Sequence, residues 1–244
     1  MSDRNIVIAF DIYGTLLSFE SIAEKLVAFF DEDKSQLIAK LWRQYQLEYT
    51  WRLNSMDRYL PFQEVTKNAL QHALDTTGSQ LKEWQIDDML TAYESIATFP
   101  DVKATLDKVS QIPNASAVIF SNGTLDMLRR AIVRSPTLTH HASTFTETIS
   151  VDDVKRFKPA CEVYKYLAQR VGKSSAEMED IWLVSSNPFD AVGALNVGLK
   201  VIWVDRQKAG WTDRAMPDLR PTVIVNDLEQ VAEVIANHTQ CTET

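Results

Sequence analysis

Three polar clusters and one basic loop carry the residues of this chain that could do chemistry. The clusters are Asp11-Ile12-Tyr13-Gly14-Thr15, Ser121-Asn122-Gly123-Thr124 and Ser185-Ser186-Asn187-Pro188-Phe189-Asp190, and the loop is Lys155-Arg156-Phe157-Lys158-Pro159. Asp11 directly follows Ile6-Val7-Ile8-Ala9-Phe10, a run with the length and β-branched content of a buried parallel strand. An Asp at such a strand end, before a Gly turn, lies where open α/β sheets place their active sites. An ionised carboxylate there can act as a covalent nucleophile. The same residue type also caps helices and opens turns, so these eight or so residues leave both roles open.

The other clusters also follow apolar runs, Ala115–Phe120 and Ile181–Val184. The spacing predicts strands at 5–10, 115–120, 148–151, 181–184, 200–204 and 223–225, separated by helical segments at 102–109, 125–133, 162–171, after 190 and at the end. That alternation predicts an α/β fold, a doubly wound, Rossmann-like parallel sheet. Between Gly14 and Gly78 there is no glycine and no alternating pattern. Helical periods run instead over 21–30, 37–56, 63–74 and 86–96. The expected organisation is a core of residues 1–17 and 98–244, with an inserted helical cap subdomain at 18–97. Strand ends of one sheet share an edge, so the three clusters would face one cleft beneath that cap.

Composition narrows the function. The chain has 244 residues, 45% hydrophobic and 24% charged, with a net charge of −8. That balance fits a soluble globular protein and argues against nucleic acid or an anionic membrane as partner. Two cysteines, Cys161 and Cys241, supply neither a disulfide framework nor a Cys-rich metal site, and suggest a reducing, cytoplasmic setting. The N-terminal residues lack the features of a secretory signal, and no run approaches the ~20 apolar residues of a membrane span. The polar end, 237–244, is expected to fray. His140 and His141 are adjacent, and no histidine has a Cys or Glu at ligand spacing. Cys161 reads as a half-buried helix residue, and Trp42, Trp51 and Trp84 as cap core.

Together these motifs resemble the haloacid dehalogenase superfamily and, within it, the L-2-haloacid dehalogenases. Superfamily-level matches are Asp11-x-Tyr-Gly-Thr15, Ser121-Asn122-Gly123, Lys158-Pro159 and the loop from Ser185 to Asp190. Sharper matches lie in the insert: Leu41-Trp42-Arg43-Gln44, Gln46-Leu47-Glu48-Tyr49-Thr50-Trp51, Arg58-Tyr59 and Phe62-Gln63. The likeness spans about residues 5 to 206.

The resemblance implies hydrolytic dehalogenation of short (S)-2-haloalkanoic acids to (R)-2-hydroxy acids through an ester on Asp11. Within it, Lys158 holds Asp11 ionised and oriented, with Lys155 the alternative in the same loop. Asp190, supported by Ser185 and Asn187, serves the hydrolytic water. Thr15, Ser121 and Asn122 hydrogen-bond around the nucleophile and the substrate carboxylate. Arg43 receives halide or positions substrate. Tyr13, Gln44, Leu47, Phe62 and Phe189 form pocket walls, and Tyr164, at the family spacing after Lys158, joins them as a substrate-binding residue. Phe189 is a departure, since the family commonly has Trp there.

Phosphatase relatives resemble Asp-x-Asp, whose second Asp protonates an alkoxide leaving group. Tyr13 stands at that position here, and halide, already a stable anion, needs no general acid. Ser185-Ser186-Asn187 likewise replaces the acidic start of a magnesium-binding loop. No metal and no cofactor is therefore expected. The partners expected are a small 2-haloacid, water and a second copy in a family-like homodimer. Two alternatives stand beside this reading: a superfamily phosphatase, and a small-acid-binding or biosynthetic protein that keeps the dehalogenase pocket.

Overall fold

The computed structural model describes residues 5–241. Six parallel strands form one sheet in the order β3-β2-β1-β4-β5-β6. They are β1 (Ile6–Phe10), β2 (Ala115–Ser121), β3 (Phe145–Ser150), β4 (Ile181–Ser185), β5 (Lys200–Val204) and β6 (Val223–Val225). All five residues of β1 are buried, as a strand covered on both faces requires. From β1 the chain steps outward through β2 and β3, then returns to the other side of β1 for β4. That reversal is the topological switch point. Phe10 pairs with Ile119 on β2 and with Val184 on β4. The register therefore brings Asp11, Ser121 and Ser185, each one or two residues further along, to one edge.

No strand lies between β1 and β2 in sequence. That interval holds α1 (Glu20–Leu26), α2 (Glu32–Ser55), α3 (Phe62–Thr76), α4 (Glu83–Tyr93) and α5 (Val102–Val109). The outgoing and returning chains pair where they leave the sheet. Ser18 N–H donates to Ala97 O at 2.8 Å and Phe99 N–H to Leu16 O at 3.0 Å. Beyond β2 come α6 (Leu125–Arg134), α7 (Pro136–His140), α8 (Cys161–Arg170), α9 (Pro188–Asn196) and α10 (Val231–Cys241). No described helix is long and apolar enough to cross a membrane.

The differences from the expected elements have local causes. Helix α1 stops at Leu26, four residues short of Phe30, and Asp31 then caps α2 by accepting from Lys34 N–H at 2.9 Å. Helix α2 starts at Glu32 rather than at 37. Its first turn is acidic, which suits the positive end of the helix dipole but carries no apolar period. Helix α4 spans 83–93 rather than 86–96. Strand β3 begins at Phe145 rather than at 148, since exposed Thr146 and half-buried Glu147 interrupt the apolar run in the sequence, and Val151 already belongs to a 3-10 turn. Helix α7 follows from a Ser135 cap and Pro136 at the first helical position. Helix α10 continues to Cys241, through part of the stretch expected to fray, and residues 242–244 lie outside the described residues. Trp42 is buried and donates to Thr66 O at 2.8 Å, but Trp51 and Trp84 are 40% and 61% exposed, so neither is core.

Candidate active site

Asp11 is nearly buried at the end of β1, and each of its carboxylate oxygens has named donors. Oδ2 accepts from Thr15 Oγ1 at 2.9 Å and from Asn187 Nδ2 at 2.8 Å. Oδ1 accepts from Lys158 Nζ at 3.2 Å. Thr15 is held in turn, its Oγ1 accepting from Ser186 N–H at 2.9 Å. Asn187 Nδ2 also donates to Tyr13 O at 3.0 Å, and Asn187 N–H donates to Ser185 Oγ at 3.1 Å. The loops after β1 and β4 are thus cross-linked through the nucleophile candidate. Gly14, at φ +85°, supplies the left-handed turn that brings Thr15 back onto Asp11.

Lys158 is 1% exposed, which for a lysine demands anionic or carbonyl partners on every donor. Besides Asp11, its ammonium donates to Asp190 Oδ2 at 2.8 Å and to Phe120 O at 2.8 Å. Asp190 is fully buried, and its Oδ1 accepts from Tyr164 Oη at 2.8 Å. Two carboxylates thus share one ammonium. Desolvation raises the Asp190 pKa, Lys158 opposes that rise, and the charge of Asp11 adds to it. Lys155, the alternative in the same loop, is exposed and pairs with Asp152.

A narrow cleft lies over Asp11. Tyr13, Lys158, Asn187, Ser121 and Asn122 line its core side, with Phe189 at the start of α9. Arg43, Leu47 and Phe62 close it from α2 and α3. Arg43 donates to Asn187 Oδ1 at 3.2 Å and to Gln46 Oε1 at 2.7 Å, and its guanidinium stacks 4.5 Å from the Phe19 ring centre. Ser121 Oγ accepts from Gly123 N–H at 3.1 Å, and Asn122 Oδ1 accepts from Lys158 N–H at 2.9 Å. Tyr13 is buried among Phe19, Phe62 and Tyr93, its hydroxyl has no hydrogen-bond partner among the described residues, and burial pushes its pKa well up.

The family model for haloacid dehalogenase-like hydrolases matches residues 7–198, most of the chain and all of this site. This chain belongs to that family. A relative from Pseudomonas putida, an (S)-2-haloacid dehalogenase, is 32% identical over 232 residues, 94% of this chain and 96% of the relative. Another (S)-2-haloacid dehalogenase, from Xanthobacter autotrophicus, is 37% identical over 199 residues, covering 82% of this chain and 74% of the relative. Among solved structures, the L-2-haloacid dehalogenase from Xanthobacter autotrophicus with chloropropionic acid covalently bound aligns with a TM-score of 0.81 at 28% identity. That alignment covers 95% of this chain and 98% of the other.

Within this haloacid dehalogenase-like hydrolase, two expected pocket residues stand elsewhere. Gln44 points out of the cleft, exposed and bonded to Glu48 at 2.9 Å, because it falls on the outer face of α2. Tyr164 does not line the cleft and lies behind it, orienting Asp190. Two residues further along α2, Gln46 is fully buried. It accepts from Arg43 and from Tyr93 Oη at 3.0 Å, and donates to Thr66 Oγ1 at 2.7 Å. The sequence shows Gln46 only as part of the cap motif, with no role of its own. Its signal was its place on the buried face of α2, four residues after Trp42 and four before Thr50. Among the described residues, no group of three or more His, Cys, Asp or Glu side chains converges as a metal ion would need.

Proposed function

We propose that this hydrolase removes halide from short (S)-2-haloalkanoic acids and yields (R)-2-hydroxy acids. The observation that carries the reading is the pair of oxygens on Asp11: Oδ2 held by two neutral donors, Oδ1 facing the Lys158 ammonium. A carboxylate so held is a fixed anion beside a narrow cleft that also carries Arg43, Ser121 and Asn122.

The arrangement supports a two-step sequence. Asp11 Oδ1 attacks C2 opposite the carbon–halogen bond, and halide leaves with the bonding pair. Inversion at C2 gives an ester. Arg43 is the cation on the cap side of the cleft that receives the halide, and Ser121 and Asn122 offer donors to the substrate carboxylate. Water then attacks Cγ of Asp11. The charge that develops on Oδ2 is met by Thr15 and Asn187, donors already in place. One water proton passes to Asp190, the carboxylate that shares the Lys158 ammonium with Asp11. Lys158 protonates the departing Oδ1, now the product hydroxyl, and regains its proton from Asp190 across their 2.8 Å contact. The second water proton passes to solvent as Asp11 returns to carboxylate. No step is routed through a metal ion.

The relatives named (S)-2-haloacid dehalogenase support the substrate class and its handedness. A cytoplasmic setting and a homodimer belong to the same proposal, the latter testable by light scattering. Halide release from each enantiomer of 2-chloropropionate, with chelator and with magnesium, beside an Asp11→Asn control, tests the reading. Release from the (S) form alone, indifferent to chelator and lost in the control, is expected. A folded protein that releases none from either enantiomer would overturn the substrate assignment.

A further inference from the structure

Asn54, near the C-terminal end of α2, holds both backbone groups of Phe157, the residue before Lys158. Its Nδ2 donates to Phe157 O at 2.7 Å and its Oδ1 accepts from Phe157 N–H at 3.0 Å. Around that pair the cap and the loop interlock further. Arg156 donates to Asn54 O at 3.1 Å and pairs with Asp57, and Tyr59 donates to Asp152. The Tyr59 ring stacks on that of Phe157 with centroids 5.0 Å apart. The next backbone amide, that of Lys158, turns the other way and donates to Asn122 Oδ1 of the core at 2.9 Å.

We infer that Asn54 is a positioning residue that sets Lys158 against Asp11 and ties that placement to the seating of the cap. The physical argument is one of reach. The Lys158 ammonium must satisfy Asp11, Asp190 and Phe120 O at once, at 3.2, 2.8 and 2.8 Å. A long side chain meets three acceptors only if its backbone is fixed, and a loop fixes its backbone only through hydrogen bonds to something rigid. On the core side Asn122 supplies one anchor. On the cap side Asn54 supplies two from a single planar amide, a geometry that resists both sliding and twisting. Phe157 is fully buried, so loss of the amide would leave its N–H without a partner, while its C=O would keep only Ala160 N–H at 3.0 Å.

The kinetic arm of this inference rests on the dehalogenase reading, and the structural arm does not. Asn54→Ala and Asn54→Asp are compared with the wild-type chain. The structural readout is the acylation rate of Lys158 by an amine-reactive ester, followed by peptide mass spectrometry against exposed Lys103. In Asn54→Ala the relative labelling of Lys158 is expected to rise about tenfold. With (S)-2-chloropropionate, kcat is expected to fall about tenfold, while KM changes less than about twofold. Asn54→Asp, which keeps the acceptor for Phe157 N–H, is expected to recover part of both effects.

Unchanged labelling of Lys158 would overturn the inference. So would raised labelling with an unaltered kcat, or a lowered melting temperature with labelling and kcat both at wild-type values. Raised labelling in a chain whose wild type releases no halide would uphold the positioning role and defeat the dehalogenase reading alone.

Discussion

Arg43 of the cap and Asn187 of the core are joined by a single hydrogen bond of 3.2 Å, directly above the carboxylate of Asp11. Asn187 divides its amide between them, Oδ1 to Arg43 and Nδ2 to Asp11 at 2.8 Å. The cation that would receive a leaving anion is thereby in register with the group that would displace it. The other fork of Arg43 rests on Gln46, which Thr66 and Tyr93 hold in the cap core.

Arg43→Lys tests that register. An ammonium has no planar fork and cannot reach Gln46 and Asn187 together. The expected loss in kcat/KM for (S)-2-chloropropionate is about a hundredfold, equivalent to about 2.7 kcal/mol of transition-state stabilisation. A loss below about threefold would show that the geometry at Arg43 is irrelevant to turnover.

Gly193→Ala tests the support behind Asp190. A Cβ at this position of α9 would stand 2.5 Å from Tyr164 Oη and 2.6 Å from Pro159 Cβ. Alanine ordinarily improves a helix over glycine by about 1 kcal/mol, but overpacking costs about 1–3 kcal/mol, and here the neighbours include a ring and a proline. Net destabilisation is expected in urea titrations, with slower halide release as Tyr164 is pushed off Asp190. A stabilised variant with full activity would contradict the role given to Tyr164.

Alkaline stability should report the buried phenols. Burial pushes the pKa of Tyr93 up to about 12, against an ordinary value near ~10, with Arg43 and Gln46 opposing the rise. The folded chain therefore keeps its proton where the unfolded chain loses it. Stability from this group is fully present below about pH 10 and is lost as pH rises from there through about 12. Tyr93→Phe gives up the bond to Gln46 at lower pH, yet should flatten the alkaline fall. Denaturant midpoints across that range check it, and parallel curves for the two chains would contradict the assignment.

Much of the core was legible because buried parallel strands leave continuous apolar runs that end abruptly. Ile6–Phe10 and Ile181–Val184 stop at polar clusters, and one shared sheet edge does the rest. Asn187 could be placed near Asp11 for that reason, whereas Lys158 was placed by the resemblance of its Lys-Pro loop. The cap was less legible in detail. On a helix half covered by neighbours, Gln44 and Gln46 look alike in composition, and only the rotation of α2 sends one outward and the other into the core. Trp51 misled for a related reason: its size suggests core, but it stands half exposed and meets Phe189 edge-on across the cleft mouth, ring centroids 5.5 Å apart. The double contact of Asn54 joins residues 103 positions apart and left no local pattern to read.

The central claim is that Asp11 becomes esterified and that water then attacks its own Cγ. A single turnover in heavy-oxygen water, with enzyme in excess over (S)-2-chloropropionate, addresses it directly. The account predicts that solvent oxygen enters the peptide containing Asp11, while the hydroxyl of the product carries the original carboxylate oxygen. Heavy oxygen in the product hydroxyl after that first turnover, with Asp11 unlabelled, would mean that water attacks C2 itself and would contradict the account.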